Sequence, residues 1–385
     1  MIRVAFLTGT RAEYDLLAPV LRALADHHPQ VRPQVIAAAA HCSPFHGGSL
    51  DQIRADGFEL AAQIPSQLAA DTPLARGLSF AGLTDGLLRA LASAPPTWLV
   101  VAGDREEALA GALAGNFLGI PVAHLFGGDR CLASDLDEVL RPAISKLAHL
   151  HFTATEAHRA RLIRMGEQDH RVITVGATGL DRFAQEPPME AEELSRGLGI
   201  DAARPFFLVI HHPSPLLGEE RGAAELAEIF AGLAPLECPL VVSQPNADPG
   251  SARMRRVIEA ARAGGALAVH ANLPRGVFVN AYRRCAAIVG NSSSIVIESS
   301  FARVTGILVG HRQDLREVGA NVLRVPAERA AVRAAAERAL SDDAWREAVA
   351  ECACPYGDGA AGPRVAARLA APPVDADLLR KTLAY

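Results

Sequence analysis

Aromatic residues are scarce in this 385-residue chain: Phe, Trp and Tyr make up 5% of it, although half of the residues are hydrophobic. The core must then be built from Ala, Val, Leu and Ile, a composition that suits buried parallel strands covered by Ala-rich helices. Long apolar runs are missing; none approaches the ~20 residues of a membrane span. The opening MIRVAFLTGTRAEY also lacks the apolar segment and small-residue cleavage site of a signal peptide. Neither charge dominates. A net charge of -5 gives no general reason to expect nucleic acid or a membrane as partner, although local charge in a cleft can still suit a small anion. The six cysteines are scattered apart from Cys352 and Cys354. A C-x-C pair with no second pair or nearby His is a poor metal signature, so reduced thiols, no metal and a cytoplasmic location are expected. The G-x-G-x-x-G fingerprint is absent after the first apolar run, which counts against a nicotinamide or flavin cofactor.

What is present is alternation. The length favours two domains over a single core. Strands are predicted at Ile2–Leu7, Pro33–Ala38, Trp98–Ala102, Pro121–Leu125, Leu150–Thr153 and Val172–Val175, with helices between them such as Arg105–Phe117 and Asp137–Leu147. The charged, Pro-containing stretch Asp181–Arg204 breaks this pattern and reads as an interdomain connection. A second series follows: strands at Pro205–Ile210, Pro239–Ser243, Ala286–Gly290 and Val304–Val309, helices at Ala223–Leu233, Ser251–Ala263 and Ala327–Leu340. The expected fold is α/β, with two Rossmann-like doubly wound domains, residues 1–180 and 181–365, facing a central cleft.

Ligands of such sheets bind beyond the carboxyl ends of the strands. The residues there are Thr8–Arg11, His41, Gly103–Arg105, Gly127–Asp129, His211–Pro213, Asn246 with Asp248, and Asn291–Ser294. Polar residues follow strands in any protein because loops are exposed, and for a single loop that explanation competes well. It is weaker for Asn291–Ser294, where three serines precede the apolar start of a helix. An ordinary cap needs one, whereas helix-start N–H groups with adjacent hydroxyls suit phosphate. Arg11 and Arg312 are candidate diphosphate partners, since a guanidinium forms paired bonds to phosphate. Asp104, Asp129 and Asp137 are candidate acid/base groups, and His212 a candidate proton carrier. Against this, Asp137 also suits a helix start, Asp104 also suits a pair with Arg105, and a lone His is more often structural.

The segments TGTRAEYDLL (8–17), AGDREEALAGALAG (102–115), IPVAHLFGGD (120–129), HHP (211–213), PNADPGS (245–251), GNSSSIVIES (290–299), GHRQ (310–313) and PYGDG (355–359) together resemble the UDP-N-acetylglucosamine 2-epimerases, across almost the whole chain. The GTRAEY opening resembles their hydrolysing branch, which forms N-acetylmannosamine for sialic-acid-type pathways. The resemblance implies a GT-B-like architecture, with residues 366–385 returning as a C-terminal helix to the first domain, and a homodimer or homotetramer. It implies conversion of a nucleotide sugar without any cofactor. A base takes the C2 proton as UDP leaves C1, and water then adds to the resulting 2-acetamidoglucal. It also implies roles: Asp104, Asp129 and Asp137 as catalytic carboxylates and His212 as a catalytic or phosphate-contacting imidazole. Arg11, Ser292 and Ser293 would hold the diphosphate with Arg312 nearby, Glu298 the ribose, and His41 and Asn246 the sugar. The family's Gly-Gly-Glu is Gly-Gly-Asp here, its Arg-His-Ala is Arg141-Pro142-Ala143, and Ile295 stands where the family commonly has Gly against the phosphates. An altered sugar, such as a 2,4-diacetamido-trideoxy hexose, fits these departures. A GT-B glycosyltransferase and a silent nucleotide-sugar binder are the competing readings.

Overall fold

The computed structural model describes residues 1–43, 50–68, 72–131, 136–214, 218, 220–245, 250–263, 267–271, 273–371 and 376–384. The chain forms two compact units. One comprises Met1–Asp129, Leu136–Arg182 and Gly357–Tyr385, the other Arg130–Asp135 and Phe183–Tyr356.

The first unit alternates β1 (Ile2–Thr8), α1 (Arg11–His27), β2 (Val31–Ala38), α2 (Leu50–Ala55), β3 (Glu59–Ile64), α3 (Pro73–Ser93) and β4 (Trp98–Ala102). It continues with α4 (Glu106–Phe117), β5 (Val122–Leu125), α5 (Asp137–Leu147), β6 (Leu150–Thr153), α6 (Glu156–Arg164), β7 (Val172–Thr174) and α7 (Gly179–Gln185). The strands pair in parallel in the order β3-β2-β1-β4-β5-β6-β7. All five residues of β4 are buried, as expected for a central parallel strand covered on both faces. Leu7, Leu99, Val101 and Val122 pack with Leu87, Ala108, Ala112 and Ile144 from the helices. Each such aliphatic side chain the size of Val or Leu stabilises the unit by roughly 1.5–3 kcal/mol.

The end of the chain completes this unit. Helix α15 (Ala361–Ala370) packs on α1, and the Asp181 carboxylate accepts the N–H groups of Ala361 and Gly362 at 2.9 and 2.6 Å. An anion is favoured at that helix start. Beyond α16 (Ala376–Leu379), the Lys381 ammonium donates to the carbonyls of Ser145, Lys146 and Ala148 at 2.7–3.0 Å, capping the carboxyl end of α5. It also pairs at 2.6 Å with Glu167, a buried carboxylate that His151 and Lys146 meet at 3.0 Å.

The second unit runs α8 (Ala191–Leu198), β8 (Phe207–Ile210), α9 (Arg221–Leu233), β9 (Leu240–Ser243), α10 (Ser251–Arg262), β10 (Leu267–His270) and α11 (Arg275–Arg284). Then come β11 (Ala287–Gly290), α12 (Ser293–Ala302), β12 (Thr305–Val309), β13 (Val322–Val325), α13 (Arg329–Ser341) and α14 (Asp343–Ala350). Its parallel sheet has the order β10-β9-β8-β11-β12-β13. Phe207, Val209, Val242, Val289 and Ile307 meet Leu226, Ile229 and Val332 in its core. Both sheets thus reverse direction beside their first strand, the doubly wound arrangement expected. The stretch Asp181–Arg204, read as a connection, contains the division between the units at Arg182 and Phe183 and carries the end of α7 and all of α8. Among the described residues no helix is long and apolar enough to cross a membrane.

Candidate active site

The topological switch point of the first sheet lies between β1 and β4, so the loops after these strands form a natural ligand crevice. After β1, Thr10 caps α1 and Glu13 reaches back, its Oε2 accepting the N–H groups of Gly9 and Thr10 at 2.7 and 3.1 Å. Burial pushes the Glu13 carboxyl up to about 8; neighbouring Glu107 adds to this, while Arg105 and the two N–H groups oppose it. Arg11 is the first residue of α1 and is exposed. His41, in a single 3-10 turn after β2, is buried with Nε2 2.9 Å from the Thr8 hydroxyl. It supports the Thr8–Arg11 loop from beneath, and burial holds its pKa below the usual value.

After β4, the Asp104 carboxylate pairs with Arg141 of α5. The same guanidinium, itself buried, donates to the Phe126 carbonyl at 2.9 Å. Arg141 therefore ties the loop after β4 to the loop after β5. Arg105, the alternative partner of Asp104, bonds Glu107 instead. From β5, His124 donates through Nε2 to Gly103 O (2.8 Å) and accepts through Nδ1 from the Ser145 hydroxyl (3.1 Å), and burial lowers it to about 3. The loop after β5 ends at Asp129, which is 7% exposed with Oδ1 3.4 Å from Nε2 of His158 on α6. Gly128 makes that approach possible: it has φ +78°, and a Cβ there would lie 2.3 Å from the His158 carbonyl oxygen. Asp137 is the first residue of α5. Its side chain, and Asn246, lie outside the described residues.

In the second sheet the switch point lies between β8 and β11. Gly290 ends β11 at φ +143°, where a Cβ would be 2.1 Å from Ile210 O. The next residue, Asn291, joins the two strand ends: its Oδ1 accepts the His212 N–H at 2.7 Å and its Nδ2 donates to His212 O at 2.9 Å. Its own carbonyl accepts from Arg312 at 3.2 Å and from Gln313 at 3.0 Å. The structure thus gathers His212, Ser292, Ser293 and Arg312 around one asparagine. Burial pushes His212 down to about 3, aided by the Arg312 cation and His211, so its imidazole is neutral at pH 7. Nε2 of His211 lies 3.1 Å from the Glu225 carboxylate and 3.3 Å from Asn291 Nδ2.

The three serines divide their work. Ser292 caps α12 by accepting from Ser294 N–H, and the Ser294 hydroxyl accepts from Tyr282 at 2.8 Å. The Ser293 hydroxyl has no protein partner among the described residues. Burial pushes Glu298, further along α12, up to about 7, against the pull of Arg275 and a hydrogen bond from Ser294. Ile295 is fully buried and packs toward Gly306 of β12, so its side chain lies on the sheet side of α12.

Arg141, Glu13 and Asn291 were the functional residues that sequence reasoning passed over or left without a role. Arg141 gave no signal beyond its place in an altered triplet. Asn291 stood among the strand-end residues, but its partner His212 lies 79 positions away and becomes a neighbour only through the order of the sheet.

Residues 23–370 match the family of the UDP-N-acetylglucosamine 2-epimerases. The chain is 32% identical over 388 residues to a UDP-N,N'-diacetylbacillosamine 2-epimerase (hydrolyzing) of Legionella pneumophila, covering 100% of both chains. It is 26% identical to a GDP/UDP-N,N'-diacetylbacillosamine 2-epimerase (hydrolyzing) of Campylobacter jejuni, covering 83% of each. The fold resembles a crystal structure of UDP-GlcNAc 2-epimerase from Neisseria meningitidis bound to UDP-GlcNAc. The TM-score is 0.80 at 18% identity, over 96% of this chain and 99% of that one.

Proposed function

Since the chain belongs to the UDP-N-acetylglucosamine 2-epimerase family and is an enzyme of it, we propose that it is a hydrolysing 2-epimerase whose preferred substrate is a UDP-linked 2,4-diacetamido-trideoxy hexose of the diacetylbacillosamine type. The observation that carries this is the division of chemistry between the two switch points. One supplies the carboxylate of Asp104, with Asp129 on the loop after the neighbouring strand β5; the other supplies a neutral imidazole, an unengaged hydroxyl and a cation around one helix start. The substrate reading is supported by the full-length likeness to the Legionella enzyme and by the short acid at position 129.

In this reading Ser292, Ser293 and the first N–H groups of α12 hold the diphosphate, with Arg11 and Arg312 as its cationic partners. Glu298 takes the ribose hydroxyls, and Asn246 with the His41-supported loop borders the sugar. A carboxylate of the Asp104, Asp129 and Asp137 group removes the C2 proton while the C1–O bond breaks and its electrons leave with the diphosphate. Neutral His212 offers an N–H to the departing phosphate oxygen, and the arriving negative charge favours its protonated form. Water then adds to the glycal, its hydroxyl to C1 and a proton to C2 from the opposite face. UDP-N-acetylglucosamine, yielding N-acetylmannosamine, is the slower substrate.

Incubating the enzyme with each sugar nucleotide in deuterated water, without acceptor, tests the reaction by NMR. The expected products are UDP and a free manno-configured sugar deuterated at C2. Hydrolysis without deuterium at C2 would point to a glycosyltransferase and reject the proposal. A kcat/KM higher for UDP-N-acetylglucosamine than for the diacetamido sugar, in wild type and Asp129→Glu alike, would reject the substrate assignment.

A further inference from the structure

The strongest feature outside this site lies at the other edge of the second sheet. Pro205, Ala286 and Val304, which run into the adjacent strands β8, β11 and β12, line a concavity of about 450 Å³. The residues at Asn291 and His212 follow the carboxyl ends of the same strands, so the two places sit at opposite edges of one sheet. Five arginines line the concavity, Arg204, Arg283, Arg284, Arg303 and Arg346, and no Asp or Glu is among its lining residues.

Their partners are uneven. Arg283 is spent on the carbonyls of Phe183 and Glu186, and Arg346 on Leu340 O and the exposed Asp343. Arg204, Arg284 and Arg303 make no side-chain hydrogen bond or ion pair among the described residues. Three of the lining arginines, all exposed, are therefore without an acceptor among the described residues. The carboxyl end of a helix favours a nearby cation, which accounts for a basic residue at the ends of α11 and α12. It does not account for five around one hollow with no acid in the wall.

Arg303 adds a second, independent observation. It terminates α12 with φ +55°, a left-handed conformation in which glycine avoids the clash that a Cβ meets. A long cationic residue is held here at a steric cost, and it is one of those that line the concavity.

We propose that this concavity is a second anion-binding site, which takes a small molecule bearing phosphate or carboxylate groups. The volume is that of a small-ligand pocket. Paired N–H donors of arginine match the paired oxygens of either group. An anion would also relieve the mutual repulsion of the arginines, a benefit that falls as salt rises.

The test uses the full-length enzyme with UDP at one equivalent, enough to occupy the nucleotide site without flooding a second one, titrated calorimetrically with inorganic pyrophosphate and, separately, with citrate. Saturable one-to-one binding of at least one probe is expected. Pyrophosphate alone would identify phosphate as the ligand chemistry and citrate alone carboxylate. Arg284→Ala should weaken that binding by about tenfold or more, the worth of a charged hydrogen bond. Arg303→Gly should do the same while retaining or raising thermal stability, because glycine suits the backbone there; loss of binding cannot then be ascribed to misfolding. No saturable binding in the wild type, or equal affinity in wild type and both variants, would overturn the proposal.

Discussion

Arg141→Met removes a side chain that ties the loop after β4 to the loop after β5. The guanidinium is buried, and it meets both the Asp104 carboxylate and the Phe126 carbonyl. Losing a charged donor to a buried carbonyl costs about 1.5–3 kcal/mol. The ion pair adds less than the 3–5 kcal/mol of a fully buried pair. Asp104 is 21% exposed, and water partly replaces its lost partner. A total destabilisation of about 3 kcal/mol is expected, with the two losses overlapping. The first unit can be followed alone through Trp98 in β4, in a Trp345→Phe background that silences the other of the two tryptophans. Urea unfolding of Arg141→Met, Asp104→Asn and the double variant closes a cycle, and the coupling should be about 1.5–3 kcal/mol. Arg141→Lys should restore only part of it, since an ammonium cannot replace the planar fork that spans both acceptors. Turnover by Arg141→Met should fall while UDP affinity is kept, because the proposed phosphate grip lies on other strands. Stability within about 0.5 kcal/mol of wild type, or no coupling to Asp104, would refute the strut.

Arg11→Ala should weaken UDP and substrate binding alike, by about tenfold or more, measured calorimetrically; unchanged UDP affinity removes Arg11 from the diphosphate site. Glu298 has a folded pKa of about 7 against the usual 4.5, so its contribution is fully present below pH 4.5 and is lost as pH rises through 7. Glu298→Gln should flatten the fall in stability across that window; an identical pH profile for the variant would show that Glu298 does not titrate there. Lys381→Met should lower the stability of the first unit by roughly 2–4 kcal/mol, since it uncaps three carbonyls and leaves Glu167 one cation fewer. A loss under about 0.5 kcal/mol by urea unfolding would show that the tail docks without them.

The central strand β4 was legible because burial on both faces leaves a continuous apolar run, and Trp98–Ala102 matches it residue for residue, as Leu150–Thr153 does β6. The strands that escaped notice, β3, β10 and β13, are all at sheet edges. There one side faces solvent, and β3 alternates exposed and half-buried residues in a run too polar to stand out. At the site, the strand-end rule located Thr8–Arg11, Asp104, Asp129, His212 and Asn291–Ser293 because backbone topology alone places such loops. Side-chain partnerships were not legible. Arg105 was the sequence neighbour that suited Asp104, yet Arg141 reaches it from α5, 37 positions on. Likewise the serine triplet read as one phosphate cradle, whereas Tyr282 engages Ser294 and leaves Ser293 as the open hydroxyl.

The docking of α15 and Lys381 onto the first unit has a consequence for how the protein is made. All seven strands of that unit are translated within the first 182 residues, but its last helices arrive only after Gly357. Phe183–Tyr356, by contrast, is contiguous and needs no segment from beyond Gly357 to complete its sheet. Until release, the nascent chain presents the α1 face that α15 will cover and a Glu167 still short of its Lys381 cation. A chain cut before Gly357 would lack both the helix that covers α1 and the cation that Glu167 meets.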